Sequence, residues 1–564
     1  MQLLTRKYFL LIGSMAMLLA AAGGWLYAGR TKPSDIAAYV PASALGFIEI
    51  RNWPDAARQL TDTKGWRHLA PSYNISGIPG VPGYFSSFLQ ALSSSESAVL
   101  SRSQFAVVAT GIEARGEEVR PLLALIIETR SSSSDLGKIA ERRLPELARR
   151  IYGRENRETG EYGGVEITGF SGDNPDRKLL AARIEGELIL ANNLDSIRAC
   201  IDTRLNRTPS MAGNFYLQNA RSIIGSESGI FGFVTGDGVS RLLRFAAYLA
   251  SSPALSRTGV IETLQDVLTD LASKASDGIA YSSNFENGQA VERYALLAKP
   301  DLIDALKPII RVNRAEPKLI ELVPDSAREF TIINVENPTG TLDGIETAIS
   351  ARIGAGQSFL LHQFLSSFRE VFIGAGGSQV GNEMANFNYS NRLEDRIWLI
   401  TCLNRVEMER RVLDYLSRQN KQPVRRENYS GTELLTSGAG AGIAAAFYGN
   451  VLAVGGRAQM MRFLDVESKQ TIRRLPQFSG RWMPAGDEAA IISFSSVKDD
   501  SAAMLATIAR RAGKSFDPAA GEAAASQLAM ASSVVSLKDR GIFIESRSAF
   551  GPFPLIVSIF DGLY

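Results

Sequence analysis

Residues able to do chemistry are sparse in this chain of 564 residues, and their spacing does not suit the common reactions. A nucleotide loop needs glycines where backbone N–H groups must approach a phosphate. Gly438-Ala439-Gly440-Ala441-Gly442 supplies glycines, but Ile443 stands where the dinucleotide pattern needs its third, so the run reads as a turn. Gly513-Lys514-Ser515 ends like a P-loop, yet Ile508 occupies the position of the earlier glycine and no strand leads into it. A hydrolytic triad needs an imidazole beside a nucleophile. His68 and His362 are the only histidines, and no G-x-S-x-G elbow is present. His362, in SFLLHQFLSSF, reads as a helix residue, and His68, in GWRHLAP, as the neighbour of a turn. Two His and two Cys exclude most zinc, haem and iron–sulfur designs. Cys200 in SIRACID and Cys402 in IWLITCL read as buried thiols, with a disulfide between them as the alternative in an oxidising compartment. Asp173-Asn174-Pro175-Asp176 lacks calcium-loop spacing and reads as a turn. No catalytic, metal-ligating or cofactor-binding residue is assigned.

Two features suit binding instead. The segment Phe359 to Phe372 carries Phe359, Leu360, Phe364, Leu365, Phe368 and Phe372 around most of a helix circumference. Core packing accounts for such a segment, and an apolar contact with a ligand or a membrane is the alternative. The loop from Ser76 to Tyr84 is punctuated by Gly and Pro, as a connector or a lid over an apolar groove would be. The 61 basic and 59 acidic residues leave a net charge of +2, and arginine pairs at 142–143, 149–150, 410–411, 425–426, 473–474 and 510–511 are dispersed among acids. A nucleic-acid surface needs clustered positive charge, so nucleic acid is not an expected partner.

The elements that would position these residues recur along the chain. Val40-Pro41-Ala42-Ser43-Ala44, with Phe47 beyond it, returns as Val323-Pro324-Asp325-Ser326-Ala327 with Phe330. Tyr162-Gly163-Gly164-Val165-Glu166 returns as Tyr429-Ser430-Gly431-Thr432-Glu433. Further on, Gly186 matches Gly449, and Glu292 matches Glu545. The offsets are 283, 267, 263 and 253 residues, shrinking in order as a duplicated unit with shorter loops would give. The matched glutamates read as exposed strand positions, and a shared site is the alternative; a carboxylate-dependent hydrolase would need that site. Within each unit, strands precede an amphipathic helix. Leu136, Ala140, Leu144, Leu147 and Ile151 mark it in the first, with Pro145 expected to kink or split it. Met408, Val412 and Leu416 mark it in the second. Asn287-Gly288 predicts a type I′ hairpin. The expected class is α+β: two tandem related units, residues 36–315 and 316–564, of mainly antiparallel sheet with helices on one face.

Ahead of them, residues 8–28 form an uncharged apolar stretch long enough to cross a bilayer, after a tail of residues 1–7 that carries Arg6 and Lys7. The expected topology is a single-pass inner-membrane anchor, a linker of residues 29–35, and an extracytoplasmic bulk. A cleaved signal peptide ending near Ala20-Ala21-Ala22 gives the same compartment. The opening VPASALGFIEIRNW, the apolar segment before it and the VPDSA restart resemble a bacterial family of membrane-anchored envelope proteins of unknown function. The resemblance implies tandem α+β units behind one N-terminal hydrophobic segment and carries no site residues. The functional expectation is a non-enzymatic, membrane-tethered protein acting through contacts with another envelope protein. The alternative is a binder or carrier of lipid or another apolar ligand.

Overall fold

A computed structural model describes residues 35–557 except 52, 77–93, 116–117, 130–132, 154–155, 174–177, 226–228, 251–266, 268, 314–315, 373–378, 391–394, 421–422, 438–441, 467–469, 479–488 and 555–556. The apolar segment 8–28, the Gly/Pro loop 77–84, the run 438–441 and the turn 174–176 lie outside the described residues. Among the described residues no helix is long and apolar enough to cross a membrane.

The protein is α+β with a large antiparallel sheet. In chain order the strands are β1 (Gly46–Ile50), β2 (Ser103–Arg115), β3 (Glu118–Thr129), β4 (Asn156–Tyr162), β5 (Val165–Ser171), β6 (Lys178–Ile184), β7 (Glu187–Ala191), β8 (Ile230–Thr235), β9 (Ser276–Glu286) and β10 (Gln289–Ala298). They continue as β11 (Glu329–Ile333), β12 (Val380–Asn388), β13 (Arg396–Cys402), β14 (Val424–Tyr429), β15 (Thr432–Ser437), β16 (Ile443–Tyr448), β17 (Val451–Gly456), β18 (Ala489–Ser495), β19 (Ala531–Lys538) and β20 (Gly541–Ser548).

The chain divides into two compact units. The first comprises residues within 1–42, 98–106 and 124–213. Its strands run in the order β3-β7-β6-β5-β4. Helix Ser133–Tyr152 covers them with Leu136 and Leu144, as its spacing predicts, and with Ala148, which the expected stripe did not include; Ala140 and Leu147 are half-buried. Ile151 is exposed instead, because the helix ends one residue later. Pro145 lies inside a continuous helix; it removes one hydrogen bond without splitting the element. The edge strand β4 is exposed along almost its whole length and rich in charge, which discourages pairing with another chain.

The second unit takes 43–97, 107–123 and 214–564. Its strands follow the order β14-β15-β16-β17-β13-β12-β11-β18-β19-β20-β10-β9-β8-β1. The pairings β1–β8–β9–β10 have the same connectivity as β11–β18–β19–β20, and β3–β7–β6–β5–β4 the same as β13–β17–β16–β15–β14. Phe47 stands opposite Phe233, and Phe330 opposite Phe494, in keeping with the 283-residue offset. The turns Gly163-Gly164 and Ser430-Gly431 keep the 267-residue offset, and Asn287-Gly288 adopts the two positive φ angles of its predicted turn.

Two sequence matches slip by one residue. The β6–β7 turn is Glu185-Gly186 and the β16–β17 turn is Gly449-Asn450, so Gly449 corresponds to Glu185, whose φ is likewise positive. The β9–β10 and β19–β20 turns are Asn287-Gly288 and Asp539-Arg540, an offset of 252. Glu292 therefore stands opposite Ser546, and Glu545 opposite Arg293. Alternate residues of a strand face opposite sides, so the two glutamates lie on opposite faces of the sheet and form no shared site.

Candidate functional site

Helix Lys498–Arg511 follows β18 in the second unit. Met504, Leu505 and Ile508 recur at helical spacing and are buried. Asp499 and Asp500 occupy the first turn and Arg510 and Arg511 the last, matching the helix dipole at both ends. The buried face packs with Trp66, Leu69, Tyr73, Phe550 and Phe553. The chain leaving β20 turns back at Gly551, whose φ is +58° and whose N–H donates to Ser548 Oγ at 2.8 Å. A Cβ there would stand 2.8 Å from that of Ala290, so glycine serves both the turn and the close approach.

Between this helix and the returning segment lies a cavity of about 440 Å³. Val497, Met504, Phe550 and Val557 give it apolar walls, and Asp500, Ser501, Thr507 and Ser548 are polar residues of its lining. That size and that mixture are usual for a small-molecule site. Asp500 is exposed. Thr507 Oγ1 accepts from Arg510 Nη2 at 3.0 Å. Ser501 is 1% exposed, and its Oγ has no hydrogen-bond partner among the described residues. Buried hydroxyls are nearly always bonded, so this one is an exception that costs stability. Val497, at the start of the helix, provides no side-chain cap for the first-turn N–H groups.

The sheet beside the cavity carries a polar network. The hydroxyls of Tyr281 and Tyr294 both donate to Glu292 Oε1, at 2.9 and 3.0 Å. Burial, and then the neighbouring Glu292 carboxylate, push both phenols far above their ordinary range. On the other face Glu545 is bound by Arg293 and Arg547. Burial pushes its carboxyl up, but the two guanidinium groups outweigh it and hold the group below its ordinary value. The two carboxylates have separate partners, phenol hydroxyls for Glu292 and guanidinium groups for Glu545, an arrangement that ties neighbouring strands together.

The other sequence candidates are dispersed. Phe359 is 66% exposed, Leu360 and Leu365 are half-buried, and Leu361 packs with Val267 and Ile353. The side chains of Phe364, Phe368 and Phe372 lie outside the described residues. None of these residues lines the cavity. His68 Nε2 is 3.1 Å from the Ala524 carbonyl, and His362 Nδ1 is 2.7 Å from Glu346 Oε1. Glu166 and Glu433 are exposed, and Glu433 pairs with Arg426 at 2.8 Å. Cys200 and Cys402 are free buried thiols, pushed by burial up to about 12 and about 11. Among the described residues no group of three or more His, Cys, Asp or Glu is placed to hold a metal ion.

No family model, no curated protein and no solved structure matches the chain.

The cavity was not visible to sequence reasoning, although a serine in the buried stripe of helix Lys498–Arg511 was a usable signal. Its walls hold hydroxyls and a carboxylate, with neither imidazole nor thiol to activate a nucleophile. The arrangement can bind an apolar body and orient it by a few hydrogen bonds.

Proposed function

We propose that this protein is a membrane-tethered, extracytoplasmic binder of a small apolar ligand, held in the cavity beside helix Lys498–Arg511. The observation that carries the proposal is the cavity itself, about 440 Å³ in volume with Val497, Met504, Phe550 and Val557 in its walls. Residues 8–28 support the tether and the compartment, since 21 uncharged residues suffice for one crossing. The matching strand connectivity of the two halves supports a duplicated unit. The cavity favours ligand binding over a role through protein contacts alone.

The test is to purify the full chain in a lipid-free amphipathic polymer, incubate it with total bacterial lipid, and analyse the organic extract by mass spectrometry. One compound near 1:1 with protein is expected. It should be lost in Ala503→Trp, which fills the cavity from an exposed lining position. A bare chain, or equal retention by the variant, would refute the proposal.

A further inference from the structure

Phe215 and Tyr216 open helix Phe215–Ile224 and are 67% and 41% exposed, while Leu217, Ala220 and Ile224 of the same helix are buried. The exposed pair is held in place. Asn214 Oδ1 accepts from the Tyr216 and Leu217 N–H groups at 2.9 and 3.1 Å, which fixes the first turn. The Tyr216 hydroxyl donates to Asp277 on β9, and the Phe215 ring meets the Tyr216 ring edge-on with centroids 5.7 Å apart. Apolar side chains exposed singly are ordinary on a protein surface. A fixed pair of rings, one apolar and one amphipathic, is the composition found at membrane–water interfaces.

The chain also determines where this pair can go. The Met211 N–H donates to the Val40 carbonyl at 2.7 Å, and Pro41 is bridged to Ser210. Asp35 lies shortly before Val40 and Phe215 shortly after Met211, so the covalent path keeps the pair within about 30 Å of Asp35. From Ala28, the last residue of the apolar stretch, to Asp35 the chain spans at most about 25 Å. That linker carries Arg30 and Lys32 and no acid before Asp35, and residues 203–226 carry Arg204, Arg207 and Arg221 and no acid. Neither segment repels anionic lipid.

We infer that Phe215 and Tyr216 rest in the headgroup zone of the bilayer that anchors the chain, docking this end of the second unit on the membrane. Two aromatic side chains offer a few hundred Å² at most, well short of the roughly 1,000 Å² that a stable protein interface buries. Lipid needs no such area here, because the tether keeps the bilayer at high effective concentration and a weak contact is then enough. The inference rests on residues 8–28 spanning the membrane and is independent of the cavity.

The test reconstitutes the full chain in vesicles of phosphatidylcholine and phosphatidylglycerol, with an environment-sensitive thiol fluorophore on Gln218→Cys, one helical turn beyond Phe215. Cys200 and Cys402 are buried and do not compete for the label. Lipid carrying a doxyl quencher near its headgroup should quench this label. Aqueous iodide should quench it several-fold less than the same label on Val406→Cys. Val406 is 79% exposed on helix Arg405–Asn420, which packs against β14 and β15 at the other end of the strand order. Adding Phe215→Asp should abolish the lipid quenching and raise iodide quenching to the Val406→Cys level; an acid in the first turn suits the helix dipole, and thermal unfolding checks that the variant is folded. A Gln218→Cys label open to iodide and untouched by doxyl lipid, or unchanged by Phe215→Asp, would overturn the docking. Shielding from iodide without lipid quenching would place a protein surface, such as a second copy, over the pair and overturn it equally. The same label on Leu26→Cys, inside the apolar stretch, separates the two readings: lipid quenching there leaves the tether standing when the docking fails, and its absence takes down both.

Discussion

Replacing Ser501 by alanine should stabilise the ligand-free protein, which is unusual for a change at a position only 1% exposed. The hydroxyl is removed from water on folding and gains no partner among the described residues. Such a group opposes folding by about 1–3 kcal/mol. Alanine also favours the helix over serine by about 0.5 kcal/mol. The lost packing of one oxygen offsets part of this, so a net gain of about 1–2 kcal/mol is expected. In a unit this large that raises the unfolding midpoint by about 1–3 °C. Ser282 provides the control. It too is 1% exposed, but its Oγ donates to the Ile224 carbonyl at 3.1 Å. Ser282→Ala should therefore lose about 1 kcal/mol or more. Differential scanning fluorimetry on ligand-free chain reads both. Two buried serines should move in opposite directions. A loss of stability in Ser501→Ala comparable to that in Ser282→Ala would refute the reasoning, because it would mean that the hydroxyl is satisfied without a ligand.

The buried carboxylate of Glu49 is held by Arg221 Nη2 at 3.2 and 3.3 Å and by Arg51 Nε at 3.0 Å, with the Arg221 guanidinium over the Phe231 ring. Arg221→Ala should lower stability by about 3 kcal/mol in urea unfolding, while Glu49→Leu combined with Arg221→Met should recover most of that loss; a double variant no better than the single one would contradict this. Glu383 accepts from the Lys318 and Leu319 N–H groups at 3.0 and 2.6 Å, yet burial raises its carboxyl above the ordinary value despite those bonds. The folded chain then holds that proton more tightly than the unfolded chain, so its contribution to stability falls as pH rises past 4.5. Wild type should accordingly gain on the non-titrating Glu383→Gln as pH is lowered from about 7 to about 5, and a difference constant over that range would oppose the assignment. Cys200 and Cys402, raised by burial to about 12 and about 11, should resist a thiol reagent at pH 8 and both react after unfolding; rapid labelling of the native chain would show them accessible.

Much of the fold was legible because local signals and burial agree. The Asn287-Gly288 turn, the buried Leu136 and Leu144, and the buried Met408, Val412 and Leu416 follow from turn chemistry and periodicity. The restart at Val323 leads to Phe330 in the place that Phe47 occupies. Register was harder. Glu292 and Glu545 align by residue type, yet the hairpin turns place them one step apart, and one step reverses the face. Type matching rewards identity, whereas a sheet enforces parity. The cavity was illegible for a different reason: it is the space between helix Lys498–Arg511 and the chain around Gly551, and no sequence window contains both. The cluster Phe359 to Phe372 drew attention through composition alone, and composition does not say which side of a helix has a neighbour.

The ladder between β10 and β20 runs from Ala290 opposite Ser548 to Leu297 opposite Gly541. Each of these strands has its own hairpin partner on the other side, so either one alone would be an open rim of unpaired amide and carbonyl groups. One covalent chain supplies both rims at a high effective concentration, and neither is left waiting for a partner molecule. Expressed as separate fragments, the two segments would have to find each other, or a copy of themselves, by diffusion. A ribosome making this chain meets the same problem in time: β10 emerges about 240 residues before β20, and until then its rim has to be shielded by something other than its final neighbour.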